Sequence, residues 1–225
     1  MKKFYIILLH AMLAVSVSAQ RDLLQHENWG IVGKFGISLF DGDLPSKNSS
    51  FLSPADINIA AAAAIDYYFV PQVGFIMEYL YTPISVDLPD FKFSSAVHST
   101  AFYASINLLN IIDPKRIPTW NVFINTGIGL AFYNSESTIS PYSTPRKLGN
   151  ENCITYPVEV AFEYNFNNWW AALWGVQYRF QSKDNFEAMR DKQGNSNDGI
   201  YVTTVSLKYK LHKRLKSSYG TNFCR

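Results

Sequence analysis

The stretch Tyr156-Pro157-Val158-Glu159-Val160-Ala161-Phe162-Glu163-Tyr164-Asn165-Phe166 decides the fold. Its even positions are all apolar or aromatic, and Glu159, Ala161, Glu163 and Asn165 lie between them. A period of two puts the oily side chains on one face of a β-strand and the carboxylates on the other. In water the oily face turns to a core and the charges turn out; in lipid the assignment reverses. Which solvent surrounds the sheet therefore decides what the protein is for.

The same period recurs along the chain. Residues 29–39 set Trp29, Ile31, Phe35, Ile37 and Leu39 against Gly30, Lys34, Gly36 and Ser38. Residues 58–69 set Ile59, Ala61, Ala63, Ile65, Tyr67 and Phe69 against a face carrying Asp66; the alanine run has a helical reading, but its aromatic end and the phase of Asp66 favour a strand. Residues 73–82 place Phe75, Met77, Tyr79 and Tyr81 opposite Glu78, a polar face diluted by Ile76 and Leu80. Further strands are expected over 98–109, 120–133, 156–166, 170–180 and 200–211, the last with Val205, Leu207 and Tyr209 against Ser206, Lys208 and Lys210. Pro114 and Pro118 lack the ladder donor and punctuate the connector 110–119. About two hundred residues in such strands suit one all-β domain.

Lys2 and Lys3 precede an apolar run over 4–17 that ends at Val17-Ser18-Ala19 before Gln20, a cleavage-type pattern, so residues 1–19 read as a signal peptide. An uncleaved anchor is the rival, but the run is shorter than the roughly 20 residues a spanning helix needs. Without the leader the 20 basic residues fall to 18, against 18 acidic ones, so net charge gives nucleic-acid binding no support. Beyond it no apolar run is long enough for a membrane helix, and a spanning fold must be a closed barrel because an open sheet edge leaves backbone groups unpaired in lipid.

Three patterns favour lipid outside. Connectors at 70–72, 110–119 and 167–168 are shorter than those at 40–57, 83–97, 134–155 and 181–199, which sorts turns to one rim and loops to the other. Aromatics gather at the ends of the apolar faces: Trp29, Phe69, Trp120, Phe166 and Trp170 near the turn rim, Tyr81, Phe132, Tyr156, Phe180 and Tyr201 near the loop rim, with Ile31, Ala63, Met77, Ala104, Ile124, Val160 and Val205 between. Such belts are expected at membrane interfaces. Lys34, Asp66, Glu78, Glu159, Glu163, Arg179, Lys208 and Lys210 all fall on the opposite phase, four of each sign. Paired inside a narrow barrel they would offset their desolvation and fill the lumen as a salt-bridged plug. As the wet face of a sandwich, they would leave every Trp, Tyr and Phe to one core.

On these residues the chain resembles the eight-stranded outer-membrane barrels of Gram-negative bacteria, the family containing the OmpA transmembrane domain and OmpX. The resemblance implies an all-β, eight-stranded antiparallel up-and-down transmembrane β-barrel over 29–211, in the cell outer membrane. A periplasmic lead-in over 20–28 precedes it. The stretch 205–211 resembles the terminal-strand signal that such barrels present to the barrel-assembly machinery, with Leu211 where Phe is commoner. Residues 212–225 read as a short periplasmic tail, too short for the cell-wall-binding domain some members carry. Outer-membrane lipid is the expected partner, together with an extracellular partner at the long loops, where Val86, Leu88, Phe91 and Phe93 are apolar.

Catalytic chemistry finds little purchase. His98-Ser99-Thr100 places His98 and Ser99 on opposite faces, without a carboxylate to orient a base. His26 and His212 fall outside the barrel, so no metal-ligand spacing forms. Asp41-Gly42-Asp43 reads as a loop start, and Gly127-x-Gly129 sits in a strand, making room for neighbours or for curvature, without the helix a phosphate loop needs. Cys153 is expected in the third long loop and Cys224 in the tail, on opposite sides of the membrane, which forbids a bond within one molecule. The expectation is a non-enzymatic barrel with a structural or surface-interaction role and no cofactor. A narrow porin-like channel, an outer-membrane barrel hydrolase and a soluble lipocalin-like carrier are the alternatives.

Overall fold

The computed structural model describes residues 29–41, 57–88, 91–113, 119–139, 146–167, 169–182 and 199–211. Eight strands form one closed antiparallel barrel, each paired with the next in sequence: β1 (Trp29–Asp41), β2 (Ile57–Val70), β3 (Val73–Leu88), β4 (Phe91–Asn107), β5 (Trp120–Ile139), β6 (Arg146–Asn165), β7 (Trp170–Gln181) and β8 (Gly199–Leu211). β1 closes on β8 from Trp29↔Leu211 to Asp41↔Gly199. The expected fold class is the observed one, and no sheet edge remains around the middle of the wall. The leader 1–19, the lead-in 20–28, the tail 212–225 and Cys224 lie outside the described residues.

Within the deciding stretch, the carboxylates of Glu159 and Glu163 are buried while Val160 is 40% exposed. The phase is therefore inverted relative to a soluble barrel. Pro157 has no N–H to give, and the β5–β6 pairing passes from Thr126↔Val158 to Gly129↔Thr155 without the intervening pairs. Gly127 faces this gap from the other strand, and a Cβ there would stand 2.1 Å from the Phe102 carbonyl oxygen. The glycine thus permits a close backbone approach, as its place in a strand suggested.

Several strands outrun their sequence-based limits. β3 and β4 stay paired to Leu88↔Phe91, so most of 83–97 is hairpin rather than loop. β5 and β6 likewise remain paired to Ser137↔Arg146, with one register shift near Tyr133 and Ser135. The reason is physical: strand pairing needs only backbone partners, whereas the sequence limits were set where the apolar phase ends. Sorting of connectors by rim is consequently weaker than expected, since only residues 89–90 separate β3 from β4.

At the other rim, the strand expected over 98–109 stops at Asn107. Helix α1 (Leu108–Ile112) follows, capped by the Asn107 side chain, which accepts from Asn110 N. Asn110 reaches back to the two-residue Pro71–Gln72 turn, donating to the Pro71 carbonyl at 3.2 Å and accepting from Gln72 Nε2 at its own carbonyl. The β6–β7 turn is held by Asn167, whose Oδ1 accepts from Trp169 N at 2.7 Å and Trp170 N at 2.9 Å.

The seam of the barrel carries its own fastening. Tyr178 OH donates to Asp41 Oδ2 at 3.1 Å, passing over Gly199, where a Cβ would stand 2.1 Å from that hydroxyl. Gly199→Val is expected to displace Tyr178 and lower stability by about 1–3 kcal/mol, read as a reduced urea midpoint. Tyr178→Phe, losing only the hydrogen bond, is expected to cost about 0.5–1.5 kcal/mol.

Candidate functional site: the sealed lumen and the outer wall

The eight charged residues named from the sequence point into the lumen, and the register sorts them into two groups. The first occupies the middle. Lys34 Nζ lies 2.6 Å from Glu78 Oε2 and 2.8 Å from Glu159 Oε1, and Arg179 pairs with Glu78 through Nη2. Tyr103 OH donates to Glu78 at 2.7 Å, and Arg179 donates to Ser99 Oγ at 2.6 Å and to Gln177 Oε1 at 2.7 Å. Asn125 Nδ2 donates to Glu159 Oε2 at 2.8 Å. Two cations face two carboxylates, so this group is neutral by itself.

The second group lies toward the turn rim. Lys208 Nζ sits 2.5 Å from Asp66 Oδ2 and 3.4 Å from Glu163, with the Tyr68 ring centroid 5.0 Å away. Lys210 reaches Glu163 at 3.7 Å and Asn165 Oδ1 at 2.5 Å, and is the most exposed of the eight. Asn121 donates to Glu163 at 2.8 Å and accepts from Asn107 Nδ2 at 3.0 Å, which joins the ionic group to the cap of α1. This group too balances two against two. Neutrality within each group is what makes burial of full charges tolerable, because each ion loses water but gains partners at contact distance.

The loop-side half of the lumen is mainly apolar among the described residues. Phe40, Leu80, Ile84, Val97, Tyr133, Ile200 and Val202 are buried there in one apolar cluster with Ala60, Ala131 and Cys153. The salt-bridged plug therefore fills only the lower and middle lumen, and a mainly apolar cluster occupies the upper part. Inward apolar residues look like errors in the alternation when read in sequence, as Ile76 and Leu80 did. The barrel gathers Leu80 into this cluster, whereas Ile76 packs lower, with Val32, Ala64, Ala101 and Tyr103. Cys153 belongs to this cluster on β6 rather than to an external loop, and its thiol lies 2.9 Å from Gln181 Oε1.

On the outside, the ten aromatics named from the sequence all point away from the lumen; Trp29, Trp120 and Phe166 are more than half exposed, and Tyr201 is half-buried. Sorting into belts is incomplete. Phe35, Phe102, Phe162 and Trp174 are exposed between the two levels, and Phe162 stacks on Trp174 at 5.6 Å. Trp169, not singled out in the sequence, joins the turn-side level and stacks on Tyr209. From Trp120 to Phe132 the β5 wall is twelve steps of about 3.3 Å, which at a tilt near 40° gives roughly 30 Å, the thickness of a bilayer's hydrocarbon core.

Above this band the outward phase changes character while the strands go on. Tyr81 on β3 gives way to Pro83 and Ser85, and His98 on β4 to Ser94 and Lys92. On β5, Phe132 gives way to Asn134 and Glu136; on β6, Ile154 gives way to Asn152. Among the described residues, β2 joins β3 only from Ala61↔Tyr81 and β7 joins β6 only from Thr155↔Gln181, so the outer sides of this upper sheet have no strand partner there. Ser85 N on one side is met by Asn58 Oδ1 at 2.8 Å.

His98 faces outward and bonds Tyr79 OH through Nδ1 at 2.7 Å, whereas Ser99 faces the lumen and is held by Arg179. The two side chains are on opposite sides of the wall, as alternation requires. Asp41 is engaged by Tyr178, and residues 42–43 of the Asp-Gly-Asp stretch lie outside the described residues.

No family model and no curated protein matches this chain. Solved structures do match. Neisserial surface protein A superposes with a TM-score of 0.53 at 11% identity, covering 81% of this chain and 97% of that one. The outer membrane protein OprG of Pseudomonas aeruginosa gives 0.53 at 12% identity, covering 84% and 98%. The attachment invasion locus protein Ail of Yersinia pestis gives 0.52 at 10%, covering 83% and 100%. At such identities the likeness speaks for the fold: this chain is built as the eight-stranded barrels of bacterial outer membranes are built.

Proposed function

We propose that this chain is a small, non-enzymatic outer-membrane barrel that conducts nothing through its lumen and presents the upper sheet of β3–β6 to an extracellular partner. The observation that carries the reading is the change of the outward phase from apolar to polar at Tyr81, His98, Phe132 and Ile154, partway along strands that continue beyond it. A wall that changes solvent at one level belongs at a membrane surface. Above that level, the polar face and the sides of β3 and β6, which have no strand partner among the described residues, supply backbone donors and acceptors of the kind that an added strand uses. Residues 1–19 would direct export, and β8 would present its end to the assembly machinery.

Cell fractionation with a gel-shift assay tests the location: the protein should sediment with outer membranes and migrate differently before and after boiling in SDS. Recovery in a soluble fraction would overturn the reading. In planar bilayers no steady conductance is expected, since both the ionic groups and the apolar cluster block the axis; large stable currents would instead favour a pore. For the surface role, Lys92→Glu combined with Asn152→Arg is expected to leave assembly intact and weaken adherence of whole cells to the partner surface.

A further inference from the structure

The two ionic groups meet at a small cavity of about 20 Å³, bordered by Lys34, Asp66, Asn125, Glu159 and Ser206 among others. Two of these residues bring acceptors without a donor: among the described residues, Asp66 Oδ1 and Asn125 Oδ1 take no hydrogen bond. Both residues are almost completely buried, at 3% and 2% exposure. Their other polar atoms are engaged, Asp66 Oδ2 with Lys208 and Asn125 Nδ2 with Glu159. A buried acceptor with no donor costs on the order of 1–3 kcal/mol, so two in one cavity call for a common donor.

We infer that this cavity binds one structural water molecule, which donates one hydrogen to Asp66 and the other to Asn125 and so joins the two ionic groups into a single polar column. Size fits: one water needs roughly 10–15 Å³ of such space and two to four polar partners. Charge selects water over a cation. Lys34 and Lys208 already balance Glu159 and Asp66 at the cavity, so an ion of either sign would add an uncompensated buried charge while a neutral double donor does not. The remaining walls, among them Val32, Ala64 and Ile76, are apolar and fix the molecule in place.

The column has a consequence for energetics. Without the water the groups are separate and their perturbations add; with it, loosening Asp66 is felt at Asn125 and Glu159.

Crystals of the full chain that diffract well enough to place solvent should show one density peak within hydrogen-bond distance of both Asp66 Oδ1 and Asn125 Oδ1. An empty cavity, or a peak with the short multiple contacts of a metal ion, overturns the inference. Ala64→Thr and Ala64→Val provide a second measurement, because they fill the cavity with the same shape and differ only by a hydroxyl. Thr should unfold at the higher urea concentration, since its hydroxyl can serve the acceptors that a displaced water leaves bare. Val unfolding at the higher concentration would mean a dry void and sink the proposal; if neither variant folds, the solvent density decides.

Discussion

Glu78→Ala is expected to lower the unfolding free energy by about 3–5 kcal/mol, the range for breaking one partner out of a buried ion pair. Glu78 accepts from Lys34 at 2.6 Å, from Tyr103 at 2.7 Å and from Arg179, and is 1% exposed. Its removal turns a neutral group into one with an excess positive charge in a space buried from bulk solvent. Arg179 keeps Ser99, Gln177 and Tyr103, all uncharged, while Lys34 keeps Glu159. Against a total stability of about 5–15 kcal/mol, the loss removes a large fraction of the fold's margin. Urea titration of the protein refolded into lipid vesicles measures it. The double variant Glu78→Leu with Arg179→Leu restores neutrality, because Lys34 and Glu159 remain as a pair, and should recover much of the loss. A Glu78→Ala protein within about 1 kcal/mol of the parent, the range of exposed ion pairs, would mean that water reaches these groups and that the lumen is open.

Val160→Arg is the second large effect. The residue is 40% exposed on β6, directly across the wall from the carboxylates beside it. In water, a charge at so exposed a site would change stability by no more than about 0.5 kcal/mol. In a bilayer it sits near the middle of the hydrocarbon, where arginine costs about 2–4 kcal/mol. Asn152→Arg is the control: same strand, same outward phase, roughly 26 Å further along the chain at 3.3 Å per residue and on the polar side of the boundary. Vesicle-refolded protein should lose stability with Arg at 160 and not with Arg at 152. Equal, small effects would place water on both sides of the wall and remove the basis for a membrane location.

These two experiments probe opposite faces of the same strand pattern, and the pattern was legible because it is local. Successive side chains on a strand point to opposite sides whatever the neighbours do, so Glu159 and Val160 could be assigned to different environments from their order alone. The assignment of inside and outside followed from the charges, since a lipid-facing carboxylate is far costlier than a paired lumenal one. Strand ends were less legible. Hydropathy reports the surrounding solvent, and solvent changes at Tyr81 and Phe132 while the backbone ladder runs on to Leu88 and Ile139. Cys153 was misplaced for that reason. The end of β4 at Asn107 depended on a side-chain cap, a feature of one residue within a run of apolar neighbours.

By itself, the order of residues determined the period, the number of strands, the inverted phase and the membership of the lumenal charges. Only the closed tertiary structure decided who meets whom. Glu78 and Arg179 are 101 residues apart, and nothing along the chain couples them until the register of eight strands brings both to one level. The same closure gathered Phe40, Val97 and Ile200 into an apolar seal and brought Asp66 and Asn125 to the edges of one cavity. Alternation is a property of the backbone and is written locally; partnership across a lumen depends on stagger and curvature, which arise only when the last strand pairs with the first.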